Sequence, residues 1–88
     1  MFYVYLLECI DGSIYCGYTT DVKKRFEKHK SGKGAKYTRS HPPLKIIYVE
    51  EFADKSTALK REYEIKAMTR AQKIETFNLK LMCSHQEP

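Results

Sequence analysis

The chain opens with two short apolar runs on either side of Asp11-Gly12, between Tyr3 and Gly17. Both runs are rich in Val, Ile, Leu and Tyr, which favour strands, and an Asp-Gly pair favours a tight turn. In the first run, apolar side chains occupy both alternating sets of positions, which is typical of a strand covered on both faces. The pattern therefore predicts a β-hairpin whose first strand is central in its sheet.

The later apolar positions follow helical spacing in three segments and strand-like spacing in one. Residues 22–31, 55–68 and 69 onward predict helices, and residues 44–52 predict a third strand. Residues 31–43 contain Gly, Ser and Pro, which predict a loop. The result is an α+β domain of order ββαβαα, with helices packed on a three-stranded antiparallel sheet.

Polar side chains that cap helices support these boundaries. Thr20 or Asp21 can cap the first helix, and Gly32 can end it. Thr69 and Gln72 have the spacing of a capping box at the start of the last helix. We therefore expect three separate helices, one before the third strand and two after it.

Positive charge is concentrated in the middle of the chain, although the net charge of +5 is moderate. Between residues 23 and 41, eight lysines and arginines stand against a single acid, Glu27. Such a segment attracts polyanions, and its Tyr37 could stack on a base. We predict a nucleic-acid partner, DNA or RNA; a solvated surface is the alternative. The predicted nucleic-acid contacts are Gly17, Lys24, Lys28, Lys33, Lys36, Tyr37 and Arg39.

Several other classes of protein are disfavoured by the sequence. There is no Walker-type phosphate loop, and the three cysteines lack the spacing of a zinc ribbon or a disulfide framework. No apolar run approaches the roughly 20 residues of a membrane span, and the N-terminus has no signal-peptide pattern. We expect a cytoplasmic protein, monomeric or weakly dimeric, with one domain over residues 1–82 and a flexible tail over residues 83–88.

The hairpin resembles the paired motifs of the GIY-YIG nuclease family. Val4-Tyr5 corresponds to the GIY motif, and Tyr15-Cys16-Gly17 corresponds to the YIG motif. The resemblance covers residues 2 to about 75 and continues through Arg25, His29, the run at residues 32–39 and Glu62. Tyr3 replaces the usual first glycine and Cys16 the middle Ile, but neither change removes a side chain to which the family assigns chemistry.

The resemblance implies a metal-dependent endonuclease that hydrolyses phosphodiester bonds in DNA, or in RNA, during DNA repair or nucleic-acid processing. Its implied catalytic residues are Tyr5, Tyr15, Arg25, His29 and Glu62. Tyr15 is the first candidate for activating a water, with Tyr5 in support, while Arg25 suits a phosphate oxygen. His29 is implied as a proton relay or a phosphate contact. Glu62 is implied as the ligand of one Mg²⁺ or Mn²⁺ ion.

Glu62 also stands out by its position, because it falls between Ala58 and Ile65 on an inward-facing helical stripe. A carboxylate there needs compensation, either by Arg25 or by a metal ion. A nucleic-acid-binding module without turnover would need only the basic residues and remains the alternative function. A protein-interaction domain would leave these inward charges unexplained, although a protein partner could still supply substrate specificity.

The length of the hairpin loop decides whether the two tyrosines can share a site. A two-residue loop would place Glu8 opposite Tyr15 and turn Tyr5 to the other face of the sheet. A three-residue loop at residues 10–12, with Gly12 in the left-handed region, would place Leu7 opposite Tyr15. The nuclease hypothesis requires the second arrangement.

Overall fold

The structure is a computed structural model that describes residues 1–81, and it has the predicted α+β fold. The elements are β1 (Phe2–Cys9), β2 (Ile14–Thr19), α1 (Val22–Lys30), α2 (Lys36–Ser40), β3 (Pro43–Phe52), α3 (Lys55–Lys66) and α4 (Arg70–Phe77). The short helix α2 is an addition to the predicted order, because the segment at residues 31–43 was expected to be a loop. The tail predicted at residues 83–88 lies outside the described residues.

The three strands form one antiparallel sheet in the order β2-β1-β3. The central position predicted for β1 is confirmed, and its residues from Val4 to Cys9 are all buried. Strand β2 therefore has one free edge, along which side chains from both layers of helices can meet. No helix among residues 1–81 is long and apolar enough to cross a membrane.

The three-residue hairpin loop is confirmed. The Cys9 amide donates to the Ser13 carbonyl at 2.9 Å, and Gly12 has a φ angle of 86°. In the resulting register Leu7 lies opposite Tyr15, and Tyr5 lies opposite Gly17. Because paired residues point to the same side of a sheet, both tyrosines project from one face.

The opposite face packs on α3 and α4. Its buried apolar cluster consists of Val4, Leu6, Ile14, Cys16, Ala58 and Ile65. Helix α3 begins at its N-cap Asp54 and ends two residues earlier than predicted. The predicted capping box of α4, formed by Thr69 and Gln72, is present. Helical periodicity and caps thus account for the placement of this layer.

Helices α1 and α2 lie on the tyrosine side. Asp21, one of the two predicted caps, accepts a hydrogen bond from the Lys24 amide at 3.0 Å and starts α1. Past the end of α1, Gly32 has a φ angle of 81°, which suits a glycine at a helix stop. The chain then turns back into α2, which brings Thr38 under α1 and buries it.

Candidate active site

Three aromatic side chains converge where α1 meets the hairpin. The Tyr5 hydroxyl lies 2.8 Å from Nε2 of His29, and both residues are 1% exposed. The ring of Tyr15 lies 6.3 Å from that of Tyr5 and 5.2 Å from that of His29, between centroids. The structure therefore brings together three of the five predicted catalytic residues at one point on the sheet.

Thr38 completes the hydrogen bonding of His29, although it was not among the residues predicted for the site. Its Oγ1 lies 2.7 Å from Nδ1 of His29, and it donates to the Ala35 carbonyl at 3.0 Å. Both ring nitrogens of His29 are thus engaged in a buried network. Thr38 lies within residues 32–39, which are part of the family resemblance. Because this segment was predicted to be a loop, the prediction did not indicate that the Thr38 side chain points inward.

Two glycines allow the network to close because they lack a side chain. A Cβ atom at Gly17 would collide with the Tyr5 hydroxyl and lie 3.0 Å from the ring of Tyr15. A Cβ atom at Gly34 would collide with the ring of His29 and lie 2.9 Å from its Cα. Gly17 was predicted as a nucleic-acid contact, and its burial under Tyr5 favours a packing role.

Arg25 stands one helical turn before His29 and is partly buried. Its Nε is a buried donor without a hydrogen-bond partner, the one such side-chain atom within residues 1–81. An unpaired buried donor is unfavourable, so an anion would improve this position. Thr19, Thr20, Asp21, Lys24 and Lys28 join Arg25 in lining a pocket of about 240 Å³.

Glu62 lies on α3, in the layer that packs on the opposite face of the sheet from Tyr5 and His29. Its side chain is 18% exposed, and its carboxylate lies 3.2 Å from Nζ of Lys66. The pKa of Tyr15 is raised mainly by burial, and the negative charge of Glu62 adds a smaller effect in the same direction. The ion pair of Glu62 is thus with Lys66, whereas the sequence had suggested Arg25 or a metal ion.

The residues at this position fit a hydrated divalent ion better than a fully protein-bound one. Within the described part of the chain, no three His, Cys, Asp or Glu side chains are grouped as metal ligands. A single partly exposed carboxylate leaves most of a coordination shell to water, as Mg²⁺ tolerates. Lys66 would have to give up its contact with Glu62 when such an ion binds.

The ionisation of the site is set mainly by burial. Burial raises the pKa of Tyr5 and of Tyr15, and the Arg25 guanidinium opposes the rise in both. Burial, assisted by Arg25, lowers the pKa of His29. Both phenols are therefore protonated at neutral pH and the imidazole is uncharged. Arg25 acts in the predicted direction on Tyr15, but desolvation outweighs it.

A cleft of about 430 Å³ follows the free edge of β2 and separates α2 from the α3–α4 layer. It is lined by Ile14, Tyr15, Cys16, Tyr37, Lys66 and Lys73. The ring of Tyr37 stacks on His41 at 4.2 Å and on Tyr15 at 5.7 Å, between centroids. Two rings thus already contact Tyr37, and its side chain is 38% exposed, so only part of its ring is available to stack on a nucleic-acid base.

The predicted basic contacts fall into two groups around the site. Lys24 and Lys28 border the pocket that contains Arg25. Lys33, Lys36 and Arg39 are exposed just before or within α2. Both groups lie on the layer of the sheet that carries Tyr5 and Tyr15, and their contact with nucleic acid stays a prediction.

Comparison with known proteins gives one consistent assignment. Residues 1–75 match the family described as the GIY-YIG catalytic domain. A UPF0213 protein of Staphylococcus epidermidis is 54% identical over 72 residues, which cover 82% of this chain and 88% of that protein. A UPF0213 protein of Halobacterium salinarum is 52% identical over 73 residues, which cover 83% and 95%.

Two solved structures share the fold. The solution NMR structure of the UPF0213 protein BH0048 from Bacillus halodurans aligns with a TM-score of 0.58 at 49% identity, and the alignment covers 89% of this chain and 84% of that one. The solution NMR structure of the protein EF2693 from E. faecalis aligns with a TM-score of 0.57 at 43% identity, covering 96% and 93%.

Proposed function

Since the chain belongs to the GIY-YIG catalytic-domain family, we propose that it is a divalent-cation-dependent endonuclease that hydrolyses phosphodiester bonds in DNA or RNA. Family membership supports a nuclease-like role. The finer proposal rests on one observation: the rings of Tyr5, Tyr15 and His29, from β1, β2 and α1, converge beside a cleft that is also lined by Lys66, the ion-pair partner of Glu62 on α3. Repair or processing of nucleic acid is the proposed setting, and a protein partner is the proposed source of specificity.

Tyr15 is the phenol that we assign to the attacking water. It lines the open cleft, whereas Tyr5 is 1% exposed and directs its hydroxyl to His29. To accept a proton from water, Tyr15 must first ionise, which burial opposes and the positive charges of Lys66 and Arg25 favour. The rate of cleavage should therefore rise with pH above neutrality.

Arg25 is assigned to the scissile phosphate or to one of its neighbours. Its guanidinium is permanently charged, and its unpaired Nε could donate to a phosphate oxygen. Glu62 would hold the divalent ion, with water filling the remaining coordination positions. When bound, such an ion would supply Lewis-acid stabilisation of the charge that develops on the phosphate and on the leaving oxygen.

A binding module without turnover is the second candidate, and one observation favours it. Burial raises the pKa of Tyr15 above that of a free phenol, so this side chain ionises less readily and is a weaker candidate for activating water. This candidate needs the lysines and Arg25 but has no use for Glu62 at the cleft. The two candidates therefore differ in what they require of Glu62.

The test is cleavage of labelled single-stranded and double-stranded DNA and RNA by purified protein in Mg²⁺, with EDTA as the control. Glu62→Gln should lower the rate at least about 100-fold, because it removes a charge that holds the ion, while melting temperature changes little. Glu64→Gln, on the same helix but 54% exposed, is the matched control. Binding without Mg²⁺-dependent cleavage, or parental cleavage by a folded Glu62→Gln protein, would contradict the proposal.

A further inference from the structure

We propose that Thr38 is a positioning residue that fixes the tautomer of His29 and thereby points the proton of Tyr5 away from the cleft. The inference about the ring stands on the hydrogen bonds alone. Its consequence for catalysis rests on the proposed nuclease function. Thr38 touches neither the cleft nor the predicted metal ligand, so its influence has to pass through His29 and Tyr5.

The argument begins with the hydroxyl of Thr38, which has one proton to donate. The Ala35 carbonyl, 3.0 Å away, can only accept, and a hydroxyl that donated its proton elsewhere would leave two oxygen lone pairs facing each other, so we place the hydroxyl proton on that contact. Oγ1 of Thr38 must then act as the acceptor in its 2.7 Å contact with Nδ1 of His29. The proton of the neutral imidazole is therefore on Nδ1.

The second ring nitrogen follows from the first. With Nδ1 protonated and the ring neutral, Nε2 has only a lone pair, and in the 2.8 Å contact with Tyr5 it must accept. The phenol is thus the donor, and its oxygen keeps its lone pairs for other groups. Each group therefore donates to the next: Tyr5 donates to His29, His29 donates to Thr38, and Thr38 donates to the Ala35 carbonyl.

Burial makes this arrangement specific. Tyr5 and His29 are 1% exposed and Thr38 is 2% exposed, so the three side chains are closed off from bulk water and depend on one another for hydrogen bonds. The titratable and charged groups that face the imidazole are Tyr5 from β1, Tyr15 from β2 and Arg25 from α1. None of these supplies an acceptor for Nδ1, a role left to Thr38 of α2.

The tautomer matters for the contact between Tyr5 and Arg25. A Tyr5 hydroxyl that donates to His29 presents an oxygen acceptor toward the Arg25 guanidinium, whose hydrogen bond and charge act to lower the pKa of that phenol against the effect of burial. The opposite tautomer would turn the hydroxyl proton toward the cation and disfavour this approach. Thr38 would thus help hold Arg25 in the position assigned to the phosphate.

The first test is ¹⁵N NMR of the His29 ring in the purified parental protein between pH 7 and 8. We expect the Nδ1-protonated neutral form, identified by its ring-nitrogen shifts and couplings. An Nε2-protonated ring would overturn the proposal without any reference to activity. Because this measurement needs no variant and no substrate, it also stands if the protein proves not to be a nuclease.

The second test uses variants of Thr38. Thr38→Ser keeps the hydroxyl and should keep the Nδ1-protonated ring, whereas Thr38→Val and the smaller Thr38→Ala remove the acceptor and should shift the ring toward the other tautomer. Thr76→Val, an exposed threonine of α4, is the matched control. If either folded variant without the hydroxyl retained the parental ring shifts, the role of Thr38 would be refuted.

Where the parental protein cleaves, Thr38→Val should lower kcat at least about 10-fold with little change in KM, and Thr38→Ser should restore most of the rate. Combining Thr38→Val with Tyr5→Phe should add little to the loss from Tyr5→Phe alone, since both changes act through one hydrogen bond. Additive losses, or equal rates for the Ser and Val variants, would show that Thr38 does not act through Tyr5.

Discussion

The two faces of the sheet are held by different kinds of interaction. Under α3, Leu6 and Ile65 are fully buried in an apolar cluster, where packing has no preferred direction. Under α1 and α2, the buried groups are Tyr5, His29 and Thr38, joined by hydrogen bonds of 2.8 and 2.7 Å. The first layer therefore supplies stability, while the second requires fixed geometry and uses it to orient polar side chains.

The comparison predicts the largest loss of stability on the apolar side. Ile65→Ala should lower the free energy of unfolding by about 2–5 kcal/mol, because it leaves a cavity in the cluster. Leu59→Ala, on the same helix but 40% exposed, should cost about 1 kcal/mol or less. Urea unfolding of both variants tests this difference. Similar losses for the two would mean that α3 does not carry the core in the way described.

On the polar side the sharpest steric test is Gly17→Ala. The added Cβ would collide with the Tyr5 hydroxyl and with the ring carbon that carries it, so we expect a loss of about 1–3 kcal/mol in the free energy of unfolding. The Gly17→Ala, Tyr5→Leu double variant removes both clashing atoms and should be more stable than the sum of the single losses predicts, as urea unfolding can measure. A double variant less stable than the sum of the single changes would exclude this contact as the cause.

The two layers also differ in how far the sequence predicts them. Apolar periodicity and the capping box at Thr69 are local signals, and they correctly predicted the helices of the apolar layer. The hairpin register could be predicted too, because a tight turn with Gly12 in the left-handed region has few possible geometries. These features depend on neighbours in the chain more than on distant contacts.

The polar layer was predicted less completely, because it depends on contacts between residues that are distant in the sequence. Helix α2 was missed because its five residues lack apolar periodicity, and the direction of Thr38 is set by His29, nine positions away. The partner of Glu62 was missed for a different reason: Lys66 is a local i,i+4 neighbour on α3, but the sequence does not indicate whether its side chain turns to Glu62 or to solvent. The family resemblance identified site residues but carried no information about these partners.

The charge of the polar layer provides the third prediction. Lys33→Ala with Lys36→Ala should weaken binding to duplex DNA and reduce the log–log salt slope by up to about 1.8, two contacts at about 0.9 each. The control, Lys55→Ala with Lys60→Ala, makes the same change in net charge on α3. Fluorescence titrations across a salt series measure both quantities. An equal effect of the two pairs would mean that binding responds to net charge and not to the α1–α2 side.

The smallest expected effect is a dependence of stability on pH that belongs to one side chain of the polar layer. Burial and Arg25 lower the pKa of His29, so the folded protein resists protonation of a ring that the unfolded chain protonates below its ordinary pKa of about 6.5. The stability associated with neutral His29 is therefore complete above that value and is lost as pH falls toward the lowered pKa. One proton limits the slope to about 1.4 kcal/mol per pH unit.

Urea unfolding of the parental protein between pH 7.5 and 5 should show this slope, and His29→Gln should remove it while lowering stability throughout. The range stays above the ordinary pKa of the carboxylates, so their titration contributes little. His41→Gln is the control. The His41 imidazole contacts Asp11 at 2.6 Å and stacks on Tyr37, and it is partly exposed. If His41→Gln removed the slope and His29→Gln kept it, the acid sensitivity would belong to the hairpin loop, and the buried polar layer would be insensitive to pH in this range.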